Sequence, residues 1–564
     1  MISNYLKIFL ILIVFFFSNE AKSKTTTNND FDPRELSNYL SAIISQDNEN
    51  NEESLKYFKS SKNLKNKHNE YFEKYIYSLV LNQNVKSAIQ EIKIHKNTKK
   101  TNFFASYLLL AVDSMQKKNY QESNFYLDKL SRFRNIGTFE TIIYESLKNY
   151  VYAFENKKII EKKSSYQNLS NLHKAFINCY LNSNETNKSF EILINSEKVD
   201  YSRYLFFYIT YLIENNKIID AKNLINEFDE FNSILLVLQS KIWLEKNELN
   251  NFTKIFSCKN ENDLLAEFFF LIANLYSTQE DLETSNFYLS LAEYLNEKFR
   301  YNLSLMAENY FTNENFKQTK KILSQFHEND EIFYWHRIKK ITSIISKEQN
   351  DEEALRYVEN KYSKINKNNK IIFDMANIYK GYKKYEEAIN LYSILLDNID
   401  SSSSIYADLL YRRGGSYERI GKYDESDKDL NYALKILPDN SYILNYLAYS
   451  WLERNVNIDK AVSMLEVAYK KDQDNPYIID SVGWAYYLTE RYIEAEQYMR
   501  KAITLMPNDP IVNDHYGDIL WSLDKKIQAK YYWNSVLNSN DTDEDMREKV
   551  KNKLLLGPKK NNES

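Results

Sequence analysis

The segment GGSYERIGKYDESDKDLNYALKILPDN (residues 414–440) begins a pattern that returns three more times before residue 543, with a period of about 34 residues. Each copy opens on a small residue, and two further small or β-branched residues follow at nearly constant offsets. The opening residues are Gly414, Ala448, Gly483 and Gly517, the second set is Ser426, Ala461, Ala495 and Ala529, and the third is Ala433, Ala468, Ala502 and Val536. Such regularity indicates one structural unit used four times.

The residue types at these offsets predict a pair of packed helices in each copy. Small residues let two helices approach closely, while large apolar residues such as Leu430, Tyr486 and Trp533 fill the space between neighbouring pairs. Pro438 and Pro507 follow the second predicted helix, where proline stops a helix and begins a turn. The pattern therefore predicts four helix–turn–helix units over residues 405–543.

This pattern resembles the tetratricopeptide repeat (TPR) family, whose unit is a helix pair with a period of about 34 residues. Tyr423 and Tyr492 lie in the predicted turns inside two units, as the family motif expects, and one extra residue near Asn455 lengthens a third turn. The resemblance implies an all-α fold, a right-handed superhelical solenoid of roughly fourteen TPR-like helix pairs.

Weaker copies of the same offsets precede the four clear units, and we assign residues 33–400 to divergent TPR-like repeats. The opening positions of these copies are Ala42, Ala111, Ile177, Ile209, Ala273, Ala307, Thr342 and Ala376. The spacing slips around residues 133–166 and 231–261, which we interpret as insertions. After the last repeat, residues 544–564 are predicted to form a capping helix and a frayed tail, because a terminal repeat has no neighbour to cover it.

The composition is typical of helices joined by short polar turns. The chain has 564 residues but only 8 glycines and 6 prolines, which argues against a β-rich fold. Its formal net charge is −4, with both signs mixed along the chain. The sequence therefore shows no basic face of the kind that nucleic-acid binding requires.

The first residues resemble an export signal rather than part of the fold. Lys7 precedes a short apolar run, and small residues near Ser23 suit cleavage, so residues 1–23 are predicted to be a signal peptide and residues 24–32 a disordered leader. An uncleaved N-terminal anchor is the alternative, and would be the chain's sole attachment to a membrane. No cysteine follows the apolar run to carry a lipid. We expect the mature protein in a bacterial periplasm.

The two cysteines, Cys179 and Cys258, lie far apart in the sequence and lack metal-binding spacing. We expect both to be buried, unbonded helix residues, because a free cysteine packs like a small apolar side chain. A disulfide between them is the alternative, which an oxidising compartment would allow.

The sequence lacks the motifs of catalytic, cofactor or metal sites. The six histidines have neither the pairing nor the neighbouring ligands of a metal centre, and no phosphate-binding loop or nucleophile motif is present. We predict no enzyme activity, no cofactor and no metal.

The predicted function therefore depends on surface. In the family that the repeats resemble, the first helix of each unit lines a concave groove. The resemblance places twelve residues in that groove: Tyr411, Glu418, Tyr442, Asn445, Tyr449, Tyr477, Asp480, Trp484, Tyr487, Asp514, Asp518 and Trp521. Rigid aromatic rings bordered by carboxylates are typical of a protein-binding site, although Tyr449 and Trp484 could instead only pack between repeats. The Lys/Asn clamp of the family's chaperone-tail readers is not present.

Three segments of the last repeats, residues 445–461, 480–503 and 515–529, resemble bacterial envelope repeat lipoproteins that act as adaptors for a carboxyl-terminal processing protease. The resemblance implies a non-catalytic scaffold that binds an envelope protein, with that protease as the partner. The missing lipid-bearing cysteine departs from it. The alternatives are an assembly factor for outer-membrane protein, polysaccharide export or cell division, and a glycan-binding module. Self-association is a further open alternative.

Overall fold

The computed structural model describes residues 32–558 apart from residues 67, 69, 96–97, 136–137, 160–166, 196–201, 229–230 and 232. The predicted signal peptide, nearly all of the predicted leader and the tail after Pro558 lie outside the described residues. The described part contains thirty α-helices and no strand. The all-α prediction is confirmed.

The chain forms two compact units, which are described separately. One unit runs to Glu227 and resumes over Ile234–Arg337, and the other takes Phe228–Ser233 and the chain from Ile338 onward. The helices of the first unit are α1 (Pro33–Asp47), α2 (Asn51–Ser60), α3 (Tyr71–Leu81), α4 (Val85–His95), α5 (Phe104–Gln116), α6 (Tyr120–Leu130), α7 (Phe139–Asn156), α8 (Gln167–Tyr180), α9 (Thr186–Ile194), α10 (Arg203–Glu214), α11 (Ile218–Asn226), α12 (Leu235–Glu245), α13 (Asn250–Ile255), α14 (Glu261–Ser277), α15 (Leu282–Leu295), α16 (Leu303–Thr312) and α17 (Phe316–Leu323).

The boundary between the two units falls within α18 (Glu331–Glu348). The remaining helices are α19 (Asp351–Tyr362), α20 (Asn369–Gly381), α21 (Tyr385–Asn398), α22 (Ser404–Arg419), α23 (Tyr423–Ile436), α24 (Ser441–Glu453), α25 (Ile458–Lys471), α26 (Pro476–Leu488), α27 (Tyr492–Leu505), α28 (Pro510–Ser522), α29 (Lys526–Asn538) and α30 (Glu544–Leu556).

In chain order, the described helices group into fourteen successive helix–turn–helix pairs, with α7 and α30 as single helices. The prediction of a helical solenoid of about fourteen pairs is confirmed. The two slips in the repeat spacing have different causes. Residues 133–166 contain the unpaired helix α7, whereas residues 231–261 contain a complete pair, α12 and α13.

Local sequence explains why the carboxyl-terminal first helices begin where they do. The side chains of Asn440, Asn475 and Asp509 each accept hydrogen bonds from two backbone N–H groups in the first turns of α24, α26 and α28. Such N-caps satisfy donors that a helix leaves unpaired at its start. Pro476 and Pro510 occupy the first helical position, which suits a residue without an N–H group.

The small residues of the repeat pattern lie where the two helices of a pair touch. A Cβ atom added to Gly517 would lie only 2.3 Å from the indole Nε1 atom of Trp533 on the paired helix, and one on Gly483 would lie 3.1 Å from Met499 Cε. The second small residues Ala461, Ala495 and Ala529 are fully buried. Close helix contact thus accounts for the repeat pattern.

In the first unit, later helices pack against earlier ones far away in the sequence. Helix α15 contacts α3 and α4, where the rings of Tyr77 and Phe287 stack with their centroids 4.8 Å apart. At the start of α14, the carboxylate of Glu261 accepts hydrogen bonds from the hydroxyls of Tyr120 and Tyr180, at 2.7 and 2.5 Å. The pair α14–α15 therefore occupies surface that earlier helices would otherwise leave open.

The first helix pair of this unit is also bonded to its last pair. The Asn51 side chain donates a hydrogen bond to the Tyr310 hydroxyl, 3.0 Å away, and Asn315 donates to the backbone oxygen of Glu49 at the same distance. The first unit thus closes on itself, which a period of helix pairs does not by itself require.

The structure contradicts the prediction of two unbonded cysteines. Cys179 lies in α8 and Cys258 in the turn before α14, and the two form a disulfide with a Cα–Cα distance of 5.8 Å. Both are buried, as predicted, but Cys258 is not a helix residue. The bond is possible because the fold brings together residues that are 79 positions apart.

Replacing both cysteines with alanine is expected to destabilise the first unit by roughly 2–4 kcal/mol, because the disulfide restricts a long loop of the unfolded chain. Urea denaturation of the oxidised protein and of the double variant measures the difference. Dithiothreitol should shift the wild type by a similar amount and leave the variant unchanged. Two titratable thiols in the non-reduced protein would contradict the bond.

Candidate functional site

The first helices of the last four repeats, α22, α24, α26 and α28, together line a groove in the carboxyl-terminal unit. The groove contains a cavity of about 610 Å³. The residues that line it are Glu418, Arg419, Tyr423, Asn445, Tyr446, Tyr449, Ser450, Glu453, Arg454, Tyr477, Asp480, Ser481, Asp509, Ile511 and Val512. Five of the predicted groove residues belong to this wall: Glu418, Asn445, Tyr449, Tyr477 and Asp480.

Three large side chains at one repeat position are exposed. Tyr442, Tyr477 and Ile511 are each the second residue of their helices, α24, α26 and α28, and are 58%, 63% and 49% exposed. Tyr477 and Ile511 also line the cavity. We call these three residues the exposed row. A partner can pack against these three side chains without disturbing buried residues.

Other predicted groove residues connect one repeat to the next. The Tyr446 hydroxyl donates to Glu418 at 3.1 Å, and its ring packs edge-on against Tyr411, with centroids 5.5 Å apart. One repeat later, the Trp484 indole N–H donates to Glu453, also at 3.1 Å. The carboxylates thus act as acceptors between neighbouring first helices.

A buried ion pair forms the third connection in this series. His515 Nδ1 lies 3.0 Å from Asp480 Oδ1, and the imidazole stacks on the Trp484 indole at 4.0 Å between centroids. Burial favours the neutral imidazole, but the carboxylates of Asp480, Asp514 and Asp518 together outweigh it and raise the pKa of His515. Tyr487 also stacks on this indole, with its ring centroid 4.7 Å from that of Trp484.

The fourth connection involves α30, which packs on the last repeat. Lys553 Nζ lies 2.8 Å from carboxylate oxygens of both Asp514 and Asp518, and Asp518 also accepts from the Trp533 indole N–H. Burial raises the pKa of Asp518 to about 6, although Lys553 opposes the shift. Trp521 packs on Trp533 with centroids 5.4 Å apart. This end of the groove is therefore occupied by the protein's own helix.

Of the twelve predicted residues, five line the cavity, Tyr442 is exposed outside its lining, and the other six take part in contacts among these helices; Glu418 and Asp480 do both. Four partners that the pattern did not identify complete the site: Tyr446, Glu453, His515 and Lys553. Two of them could have been found from the repeat spacing in the sequence. His515 follows Asp480 by 35 residues, and Lys553 follows Asp518 by the same number.

Within the described residues, we find no helix that combines the length and apolar character needed to cross a bilayer. In the same part of the chain, His, Cys, Asp and Glu side chains form no group of three suited to a metal ion. The residues that line the cavity thus present aromatic rings, carboxylates, two guanidinium groups and amide or hydroxyl groups.

No family model matches the chain. A curated relative, the TPR repeat-containing protein PA4667 of Pseudomonas aeruginosa, is 30% identical over 141 residues, which make up 25% of this chain and 21% of that protein. The chain thus matches about a fifth of the length of this relative.

Solved structures with partial similarity include TTC0263, a thermophilic TPR protein in Thermus thermophilus, at 17% identity and a TM-score of 0.30 over 34% of this chain and 100% of that one. Another is Pseudomonas aeruginosa pilF, at 19% identity and a TM-score of 0.28 over 32% of this chain and 79% of that one.

Proposed function

This chain is a tetratricopeptide-repeat protein, and from that premise we propose that it is a non-catalytic periplasmic adaptor that binds an envelope protein in its carboxyl-terminal groove. TPR proteins are generally protein-interaction scaffolds rather than enzymes. The observation that carries the proposal is the exposed row of Tyr442, Tyr477 and Ile511 beside a cavity of about 610 Å³. Large exposed side chains repeated on adjacent helices are suited to contact with another protein.

The first unit favours the same location for the partner. Its helices α3 and α4 are covered by α15 of the same chain, through contacts such as the stacked rings of Tyr77 and Phe287. A partner at that face would have to displace a packed helix. The groove lined by α22, α24, α26 and α28 requires no such displacement at the cavity.

Two observations support a periplasmic location. The first residues have the pattern of an export signal, with Lys7 before an apolar run and small residues near Ser23. The disulfide between Cys179 and Cys258 suits an oxidising compartment, because cytosolic thiols are normally kept reduced. The two lines of support are independent, since one rests on the leader and the other on the fold.

We further propose a carboxyl-terminal processing protease as the partner, on the resemblance of the last repeats to envelope adaptors of such proteases. The test is photo-crosslinking in the native periplasm, with p-benzoylphenylalanine in place of Tyr477. The protease is expected as the dominant adduct. The matched control carries the same amino acid in place of Tyr531, which is 68% exposed on the second helix α29. Equal adducts from both positions, or adducts only with outer-membrane assembly or export proteins, would contradict the proposal.

Replacing Tyr442 and Tyr477 together with alanine is expected to weaken partner binding by about tenfold or more, because buried aromatic contacts dominate interface energies. The folded state should be almost unchanged, since both rings are mostly exposed. Affinity measured on immobilised full-length protein, with its thermal unfolding as a control, tests this. Wild-type affinity in the double variant would exclude the exposed row.

Trp484 is a poor probe of the same question. It donates a hydrogen bond to Glu453 and stacks on His515, so its replacement would disturb contacts between repeats as well as the groove. A loss of binding in a Trp484→Ala variant would therefore not distinguish a direct contact from a local rearrangement.

A further inference from the structure

The four connections along the groove differ in the charge of their donors. Asp480 is bonded by His515, whose pKa is raised, and Asp518 by Lys553. Among the described residues, by contrast, Glu453 accepts from the neutral Trp484 indole and no lysine or arginine forms an ion pair with it. Glu453 is one of the residues that line the cavity.

The nearby arginines are oriented toward other carboxylates. Arg454 forms an ion pair with Asp427 at 2.7 Å, and its guanidinium lies over the Tyr423 ring. Arg419 is mostly exposed and lies 3.5 Å from its chain neighbour Glu418. The wall of the cavity also includes Glu418, Asp480 and Asp509, so carboxylates outnumber guanidinium groups there. The local charge thus favours a cation.

Two polar atoms in the cavity wall also have no partner within the described part of the chain. They are the Asn445 side-chain oxygen and the Ser450 hydroxyl, and Ser450 is only 6% exposed. Buried acceptors without a donor are costly, and most in folded proteins are satisfied. A bound segment can bond to them only after these side chains rotate, because neither atom is accessible to solvent.

We propose that this cavity binds a lysine or arginine side chain presented by an extended segment of a protein partner, with Glu453 as the counter-ion. The proposal rests on the proposed function, because it names the chemistry of the segment that the groove would bind. The rings of Tyr449 and Tyr477 provide faces on which a cationic side chain can pack. Lys553 shows the same chemistry inside the protein, where it neutralises two carboxylates on the next first helix.

The test uses a displayed library of random octapeptides, selected on immobilised full-length protein. Enriched peptides are expected to share one lysine or arginine. In fluorescence-anisotropy titrations of a selected peptide, replacing that residue with norleucine should weaken binding about tenfold or more. Glu453→Gln should weaken binding of the original peptide to a similar extent, and should add little further loss for the norleucine peptide, because both changes remove the same ion pair.

Glu425→Gln is the matched control, because Glu425 is exposed on α23 and does not line the cavity. It should leave the affinity within twofold of the wild type. Thermal unfolding verifies that Glu453→Gln remains folded, as expected for an exposed residue whose replacement can still accept from Trp484.

The outcomes separate this inference from the proposed function. Enriched peptides without a basic residue, or wild-type affinity in Glu453→Gln, would overturn the inference and leave the groove as a protein-binding site. If no peptide is enriched above selection on the Tyr442→Ala/Tyr477→Ala variant, the proposed function itself is contradicted, together with the inference.

Discussion

Replacing Arg203 with methionine is expected to destabilise the first unit by about 3–5 kcal/mol at neutral pH, because it leaves a buried carboxylate without its counter-ion. The Arg203 guanidinium donates to both carboxylate oxygens of Glu267, at 2.7 and 2.8 Å, and to Asn302 at 2.6 Å. The Glu267 side chain is 2% exposed, so water cannot replace the lost donors. Methionine keeps part of the apolar contact with Phe270, whose ring centroid lies 3.7 Å from the guanidinium carbon.

The loss of stability of this variant relative to the wild type should become smaller as the pH falls. Burial already raises the pKa of Glu267 in the wild type, while Arg203 opposes the shift. Without Arg203 the pKa of the folded carboxyl rises further, whereas that of the unfolded carboxyl is unchanged. A raised folded pKa favours folding at low pH, and this contribution is lost as the pH rises through the folded value. Denaturant unfolding at pH 7.5 and at pH 5 measures the difference.

The double variant Arg203→Met/Glu267→Leu is the control for this interpretation. It removes both charges, so it should be considerably more stable than the single variant at neutral pH and should show little of its pH dependence. If the single variant unfolds at the wild-type denaturant midpoint at pH 7.5, the ion pair contributes no net stability.

The helix pairs could be located from the sequence wherever small residues occupy the repeat positions. Two pairs, α3–α4 and α12–α13, lack a small residue at one of these positions and were missed. In the pair α12–α13, Phe252 stands twelve residues after Ser240, where the clear repeats have a small residue, and both side chains are fully buried. In the pair α3–α4, Ala88 follows Ile76 by twelve residues, so a large residue stands at the first small position, although the turn of residues 82–84 is as long as the turn between α26 and α27. A large residue at one of the small positions thus hides a pair from a search for fixed offsets.

Contacts between distant repeats could not be derived from a period of helix pairs. The bond between Asn51 and Tyr310 spans 259 residues, and the disulfide joins residues 79 positions apart. Repeat spacing fixes which helices pair, but the path of the superhelix depends on small rotations between successive pairs. The same limit applied to the cysteines, whose pairing depends on where α8 and the turn before α14 meet.

The periodicity assigned groove residues to the first helices, but it did not identify which side chains are free to bind. Tyr477 is exposed because no later residue covers it, whereas Asp518 is buried beneath Lys553. The sequence indicated only a capping helix and a tail over residues 544–564. Which groove carboxylates the cap neutralises follows from the register of α30 on α28, which depends on tertiary packing.

Replacing Lys553 with methionine is expected to destabilise the end of the carboxyl-terminal unit by about 3 kcal/mol at neutral pH, because two carboxylates lose their common counter-ion. The side chains of Asp514 and Asp518 are 16% and 5% exposed, so solvent compensates little. Urea unfolding followed by tryptophan fluorescence measures the change, since Trp521 and Trp533 lie beside this cluster. The control Lys549→Met removes an exposed lysine of the same helix and should change stability by less than about 0.5 kcal/mol.

The pH dependence of Lys553→Met distinguishes loss of the ion pair from loss of packing. The pKa of Asp518 is about 6 in the wild type, where burial raises it and Lys553 opposes the shift. Removing the lysine raises the folded pKa further, so protonation relieves the variant as the pH falls through that higher value. A packing defect would persist at pH 5. If the deficit shrinks there, and if protease cleaves the variant between α29 and α30 at pH 7.5 but not at pH 5, then the Lys553 ion pair holds α30 over the end of the groove.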